Sequence, residues 1–124
     1  MYKVLAVDDD PELRRLMRVT LELAGFEVEM AEDGDDALAK IREFQPDLVV
    51  LDIMMPKRDG WSVIETMKRD VEWRGIPVVF LSARTLPADM HRARDLGAAA
   101  FVTKPFDPIE LADLVGVLTP RRSA

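Results

Sequence analysis

Short apolar runs alternate along this chain with stretches in which apolar residues recur every three or four positions. Val4 to Val7, Leu48 to Leu51, Val78 to Leu81 and Ala98 to Val102 are continuously apolar, the pattern of strands buried on both faces of a parallel sheet. Phe26 to Ala31 differs. There Phe26, Val28 and Met30 alternate with Glu27 and Glu29, so one face meets water and this second strand belongs at a sheet edge. Leu13, Leu16, Met17, Thr20, Leu21 and Ala24 predict a first helix, opened by Asp10 as its cap with Pro11 in the first turn and stopped by Gly25. Ala37, Leu38, Ile41 and Phe44 predict a second, ending before Pro46, and Val63, Ile64, Met67 and Val71 a third. Asp107 and Pro108 open the last, with Leu111, Leu114, Val115 and Leu118 inward and Pro120 closing it. The fourth helix is thin: Leu86, Met90 and Ala93 stand among Asp89, His91, Arg92, Arg94 and Asp95, which predicts the most mobile helix of the set. This rhythm is that of an α/β fold, a parallel sheet covered by helices.

At 124 residues the chain is one domain with one sizeable core. Hydrophobic residues make up 48% and charged ones 32%, and no apolar run approaches the length that spans a bilayer. The N-terminal "MYKVLAVDDD" enters a strand at once, without the long apolar stretch of a secretory leader, so a cytoplasmic location is expected. Absence of cysteine excludes disulfides, thiolate metal sites and a thiol nucleophile. The net charge of -6 argues against direct contact with nucleic acid and favours a small cation or a basic protein surface.

In open parallel sheets, functional groups collect at the carboxyl ends of the strands. Here the first strand ends in Asp8 and Asp9, the third in Asp52, the fourth in Ser82, and the fifth in Thr103 and Lys104. The edge strand contributes only Glu32 and Asp33, in a loop leading to Gly34. Asp8 and Asp9 follow four apolar residues without a spacer, so at least one carboxylate near that desolvated strand end needs a cation or hydrogen bonds. Three acids close together repel unless a divalent cation joins them. Oxygen ligands without nearby His or Cys select a hard ion, Mg²⁺ or Mn²⁺. Asp52, central and followed by the "MMPKRDG" loop, is then the reactive acid: a carboxylate beside Mg²⁺ and Lys104 can accept a phosphoryl group, with Ser82 and Lys104 holding its oxygens.

The motifs "VDDD", "LDIMMPKRDG", "FLSA" and "FVTKPF", in this order on these strands, resemble the receiver domain of two-component response regulators over residues 3 to 118. The resemblance implies a doubly wound, flavodoxin-like sheet of five parallel strands ordered 2-1-3-4-5, with five helices on both faces. It implies that Asp52 accepts a phosphoryl group from a sensor histidine kinase or phosphotransfer protein. Asp9, Asp52 and the Met54 carbonyl would bind Mg²⁺ directly, and Asp8 through water. Ser82 and Phe101 fill the two switch positions, Lys104 matches the lysine of the pattern, and the bond to Pro105 is typically cis. Such a domain catalyses its own phosphorylation and dephosphorylation and has no separate turnover substrate. Its output surface is the fourth helix, fifth strand and fifth helix. The receiver is expected over residues 1 to 119, with 120 to 124 as a short tail that leaves it either free-standing or cut from a longer regulator.

Other readings of the same residues are weaker. His91, the only histidine, lies on the polar side of a surface helix and is expected to be solvated. Trp61 and Trp73 are expected to pack rather than bind ligand. A phosphatase or dehalogenase with a strand-end aspartate generally needs a second acid two residues on, where Met54 stands, and the "DDDPE" turn would repel a flavin phosphate. A phosphorylation-independent receiver-like binding module is the alternative, but such modules have lost acids or the lysine, and neither is lost here. Receivers joined to winged-helix DNA-binding domains commonly dimerise through charge pairs on the output surface, whereas "GAAAF" and "DPIELADLVGVL" supply neither the acids nor the bases. A different partner for that rather apolar face is expected.

Overall fold

The computed structural model describes residues 1–84 and 86–119. Its elements alternate: β1 (Lys3–Val7), α1 (Pro11–Leu23), β2 (Glu27–Ala31), α2 (Gly34–Phe44), β3 (Leu48–Asp52), α3 (Gly60–Arg69), β4 (Val78–Ser82), α4 (Pro87–Asp95), β5 (Ala100–Thr103) and α5 (Pro108–Leu118). The strands are parallel and ordered β2-β1-β3-β4-β5, as expected.

Alternation along the buried strands divides the core in two. Leu5, Val7, Val49, Leu51, Val78 and Phe80 point to the face covered by α2, α3 and α4, where they meet Ile41, Val63, Ile64, Met67 and Ala93. Val4, Ala6, Leu48, Val50, Val79 and Leu81 point to the other, against Met17 and Leu21 of α1 and Leu111, Ala112 and Val115 of α5. This double burial is why these strands read as unbroken apolar runs. Helix starts follow local chemistry. Asp10, Asp33, Asp59 and Asp107 each accept backbone N–H groups of the first turn, and Pro11 and Pro108 sit where no donor is needed.

Several expectations are corrected. Leu16 and Ala24 are exposed, because the seam between α1 and the sheet is narrow and is filled by Met17 and Leu21. Val71 lies beyond the end of α3 and is exposed. The fifth strand starts at Ala100 and is half-buried, since it forms the second sheet edge; Ala98 and Ala99 precede it. Leu86 and Met90 of the thin helix stripe are about half exposed, leaving Ala93 as the buried apolar residue of α4. Pro120, expected to close α5, lies outside the described residues. No described helix is long and apolar enough to cross a membrane.

The loop after β3 folds back tightly on the strand end. The Gly60 N–H donates to the Ile53 carbonyl at 2.8 Å, and a Cβ at Gly60 would stand 2.6 Å from the Asp52 carbonyl oxygen and 2.9 Å from Ile53 Cα. Both obstacles are backbone, so accommodation would displace the end of β3. Gly60→Ala should therefore destabilise the protein by about 1–3 kcal/mol. Gly75→Ala, with nothing within 4 Å of the added Cβ, should stay within about 0.5 kcal/mol of the parent. Urea unfolding of both variants checks this.

Candidate phosphoacceptor and metal site

Strand register builds the site. Val7 pairs with Leu51, so Asp8 and Asp52 follow at the same level on adjacent strands and, by alternation, on the same side of the sheet. They flank the point where chain order reverses, β1 lying between β2 and β3. Ser82 pairs with Thr103, which brings Lys104 to the next level.

Asp8 is fully buried, Asp52 is 3% exposed and Ser82 1%, whereas Asp9 is exposed. Lys104 Nζ donates to Asp8 Oδ2 at 2.7 Å and lies 3.4 Å from Asp52 Oδ2. The second Asp8 oxygen accepts the Asp10 N–H at 2.9 Å. Asp52 Oδ1 accepts the Met54 N–H at 3.3 Å. Met54 is otherwise exposed, which leaves its side chain outside the core. One ligand oxygen from each of Asp8, Asp9 and Asp52 can be drawn from a set lying within 4.8 Å of one another.

This arrangement is electrostatically unfinished. Burial, and then the neighbouring Asp8 charge, push the Asp52 carboxyl up to about 6, against the opposing pull of Lys104 and the Met54 amide. Burial works against the Lys104 ammonium as well. Its hydrogen bond to Asp8 and the charges of Asp52 and Asp8 outweigh that, and it is held above the ordinary lysine value. A single ammonium thus faces two buried carboxylates with a third alongside. An oxygen-only set of that charge fits a hard divalent cation.

The hydroxyl and lysine of the sequence reading reach the same edge. Ser82 Oγ accepts the Arg84 N–H at 3.0 Å, and the Ser82 carbonyl accepts the Lys104 N–H at 2.7 Å. The Lys104–Pro105 bond is cis. Phe101, level with Phe80, is half-buried at the edge of the core and lines a groove of about 420 Å³ with Met90, His91 and Ala98. His91 is exposed, and its Nδ1 lies 3.3 Å from an Arg94 nitrogen. Trp61 is buried against Phe80 and Trp73 is half-buried beside the core, so both pack.

Two features escaped the sequence reading. Asp33 does not join the acids; it is buried, caps α2 and meets Lys57 at 3.4 Å, and the Asp36 amide holds it below the usual carboxylate range. Asp89, one of the polar positions of α4, is also buried and forks with Arg84 at 2.8 and 3.1 Å. Opposite charges five residues apart across a helix start were the available clue.

Residues 4–116 match the family model of the response regulator receiver domain. The chain is 40% identical over 121 residues to the DNA-binding dual master transcriptional regulator RpaA of Synechocystis, covering 98% of this chain and 50% of that protein. It is 39% identical over 109 residues to the DNA-binding response regulator MtrA of Mycolicibacterium smegmatis, covering 88% and 46%. The chain thus spans about half the length of these relatives, and the expectation of no nucleic-acid contact does not extend to such longer proteins. Among solved structures, chemotaxis protein CheY4 of Vibrio cholerae superposes with a TM-score of 0.89 at 33% identity, covering 95% of this chain and 98% of that one. The Francisella response regulator 1452 receiver domain gives 0.89 at 31% identity, covering 95% and 96%. The chain belongs to the response regulator receiver domain family, the signalling domain of two-component systems.

Proposed function

We propose that this receiver is a divalent-cation-dependent phosphoacceptor, taking a phosphoryl group from a histidine kinase or phosphotransfer protein onto Asp52 and relaying the change to the surface formed by α4, β5 and α5. The observation that carries the reading is Lys104 Nζ between Asp8 and Asp52, two level and buried carboxylates.

An Asp52 carboxylate oxygen attacks phosphorus as the bond to the donor imidazole breaks, leaving an acyl phosphate; water later cleaves it and restores the carboxylate. Lys104 offsets the charge that gathers on the phosphoryl oxygens. Ser82 Oγ already accepts from the Arg84 amide, so its proton is free to donate to one of those oxygens. Mg²⁺ or Mn²⁺, held by Asp9, Asp52 and the Met54 carbonyl with Asp8 acting through water, would neutralise the acids and the incoming phosphoryl charge. Movement of Ser82 toward the phosphoryl group opens space into which Phe101 can turn. Reversing a 1:99 population requires about 5.5 kcal/mol of preference for one state, the scale of a few charge-assisted hydrogen bonds. Without the hydroxyl of a tyrosine, Phe101 gains no hydrogen bond when turned outward, which biases it inward. The groove beside it offers an apolar face to an output protein or domain, and the missing charge pairs disfavour the winged-helix type of dimer.

Acetyl phosphate with Mg²⁺ should label Asp52, and chelation or Asp52→Asn should abolish the label; mass spectrometry showing an acyl phosphate on the Asn protein would overturn the assignment. A second outcome concerns stability. With a folded value of about 6 against 3.8 for the free group, the neutral form of Asp52 is favoured in the fold, so stability is lost as pH rises from about 4 through 6. That gap corresponds to at most about 3 kcal/mol. In chelator, Asp52→Asn should escape this loss and unfold later than the parent at pH 7, and Mg²⁺ should narrow the difference. Denaturation with and without the cation measures both. With Mg²⁺ bound to offset the buried acids, Lys104→Ala should stay folded while losing the phosphorylation-dependent movement of α4, followed by amide hydrogen exchange.

A further inference from the structure

We propose that Arg84 is a positioning residue for the receiver's response, its backbone and side chain joining the Ser82 hydroxyl to the first turn of α4 so that movement of one drags the other. The inference rests on the reading that Asp52 is phosphorylated and names how that event reaches the output helix.

The connection is short. The Arg84 N–H donates to Ser82 Oγ at 3.0 Å, while its Nε and Nη2 donate to Asp89 Oδ2 and Oδ1 at 2.8 and 3.1 Å. A planar two-pronged guanidinium pair transmits orientation as well as charge. Asp89 lies in the first turn of α4 and is 9% exposed.

Among the described residues, little else fastens that end of the helix. Leu86 occupies its N-cap position and makes no side-chain cap hydrogen bond, unlike the aspartates that cap the other four helices. Ala93 alone of its apolar residues is buried. Arg92 reaches Glu65 at 3.6 Å across solvent-exposed surface, a pair of small worth, and lies over the Trp61 ring at 4.5 Å. The Arg84 guanidinium is itself half exposed, but its two-pronged contact with the nearly buried Asp89 makes the fork the principal polar tie of α4 to the strand-end loop among the described residues.

The direction of transmission follows. When Ser82 Oγ moves toward a phosphoryl oxygen, the Arg84 amide must follow or lose its acceptor. If Arg84 moves alone, Asp89 is left as an unpaired, nearly buried carboxylate, which is costly. The response that avoids both losses shifts the loop, Arg84, Asp89 and the start of α4 together.

Trp61 supplies a probe, since Arg92 of α4 stacks on it. In a Trp73→Phe background, beryllofluoride with Mg²⁺ stands in for the phosphoryl group, and Trp61 emission and amide exchange in α4 report the helix. Arg84→Ala should still take up beryllofluoride with an affinity within about threefold of the parent while both α4 responses fall at least about fivefold, and Arg84→Lys, which keeps the charge without the fork, should fall between. The double variant Arg84→Ala/Asp89→Asn removes the stranded carboxylate. It should keep α4 protected before loading and show the same loss of response. A parent-like α4 response in the double variant would overturn the link. So would an α4 already unprotected in the unloaded double variant, because the fork would then be only a staple. Failure of the parent to take up beryllofluoride would overturn the reading of Asp52, and this inference with it.

Discussion

The Lys104 ammonium, held 2.7 Å from Asp8 and 3.4 Å from Asp52, is the contact on which the rest of the molecule turns. Two carboxylates at the dry end of a parallel sheet repel each other and pay for lost hydration, and one cation cannot offset both. The imbalance is visible at Asp52, pushed up to about 6. Nothing in the packing relieves it, because strand pairing holds Val7 level with Leu51 and the acids follow their strands. The fold thus maintains a standing demand for positive charge at one point, which a divalent cation would meet. In the proposed reaction the same demand is renewed when a phosphoryl group arrives.

A demand of this kind becomes signalling only if some part of the molecule can yield. The central strands cannot: β3 and β4 are buried along their whole length and locked by two cores. In the proposed switch the yielding part is the far side, where β5 is a half-buried edge and α4 has few apolar anchors. Well-packed acids beside a helix with few anchors would give local charge a mechanical outlet, since a well-packed region would absorb the same force without moving. The fork between Arg84 and Asp89 stands at the boundary between the two.

How much of this was legible in the residues depended on whether the deciding physics was local. Periodicity revealed the strands and four of the helices, because burial on one or two faces writes itself into spacing; α4 showed only a thin stripe, of which Ala93 alone is buried. Aspartates before proline announced the starts of α1 and α5, whereas the caps Asp33 and Asp59 went unread. The site acids and Lys104 were legible as strand ends, given only the rule that groups gather at that edge. Positions whose fate depends on which neighbour arrives were less so. Leu16 fits the helical stripe of α1 as well as Met17 does, yet is 42% exposed because the sheet meets a narrower strip of that helix. Asp89 stood only as one of the polar positions of α4 and is nearly buried beside Arg84 of the preceding loop.

The sequence alone determined the class of fold, the edge position of β2, the capping of α1 and α5 and the residue types available for chemistry, since each follows from local periodicity, turn chemistry and composition. Tertiary structure alone decided that Asp8 and Asp52 stand level on neighbouring strands with Lys104 beside them, that Asp33 is withdrawn to cap α2, and that Asp89 is tied to Arg84. Those outcomes depend on the distances between residues far apart in the chain or on opposite sides of a turn. Such distances are set by strand register and by which surfaces a helix meets, and neither quantity is carried by any single stretch of residues.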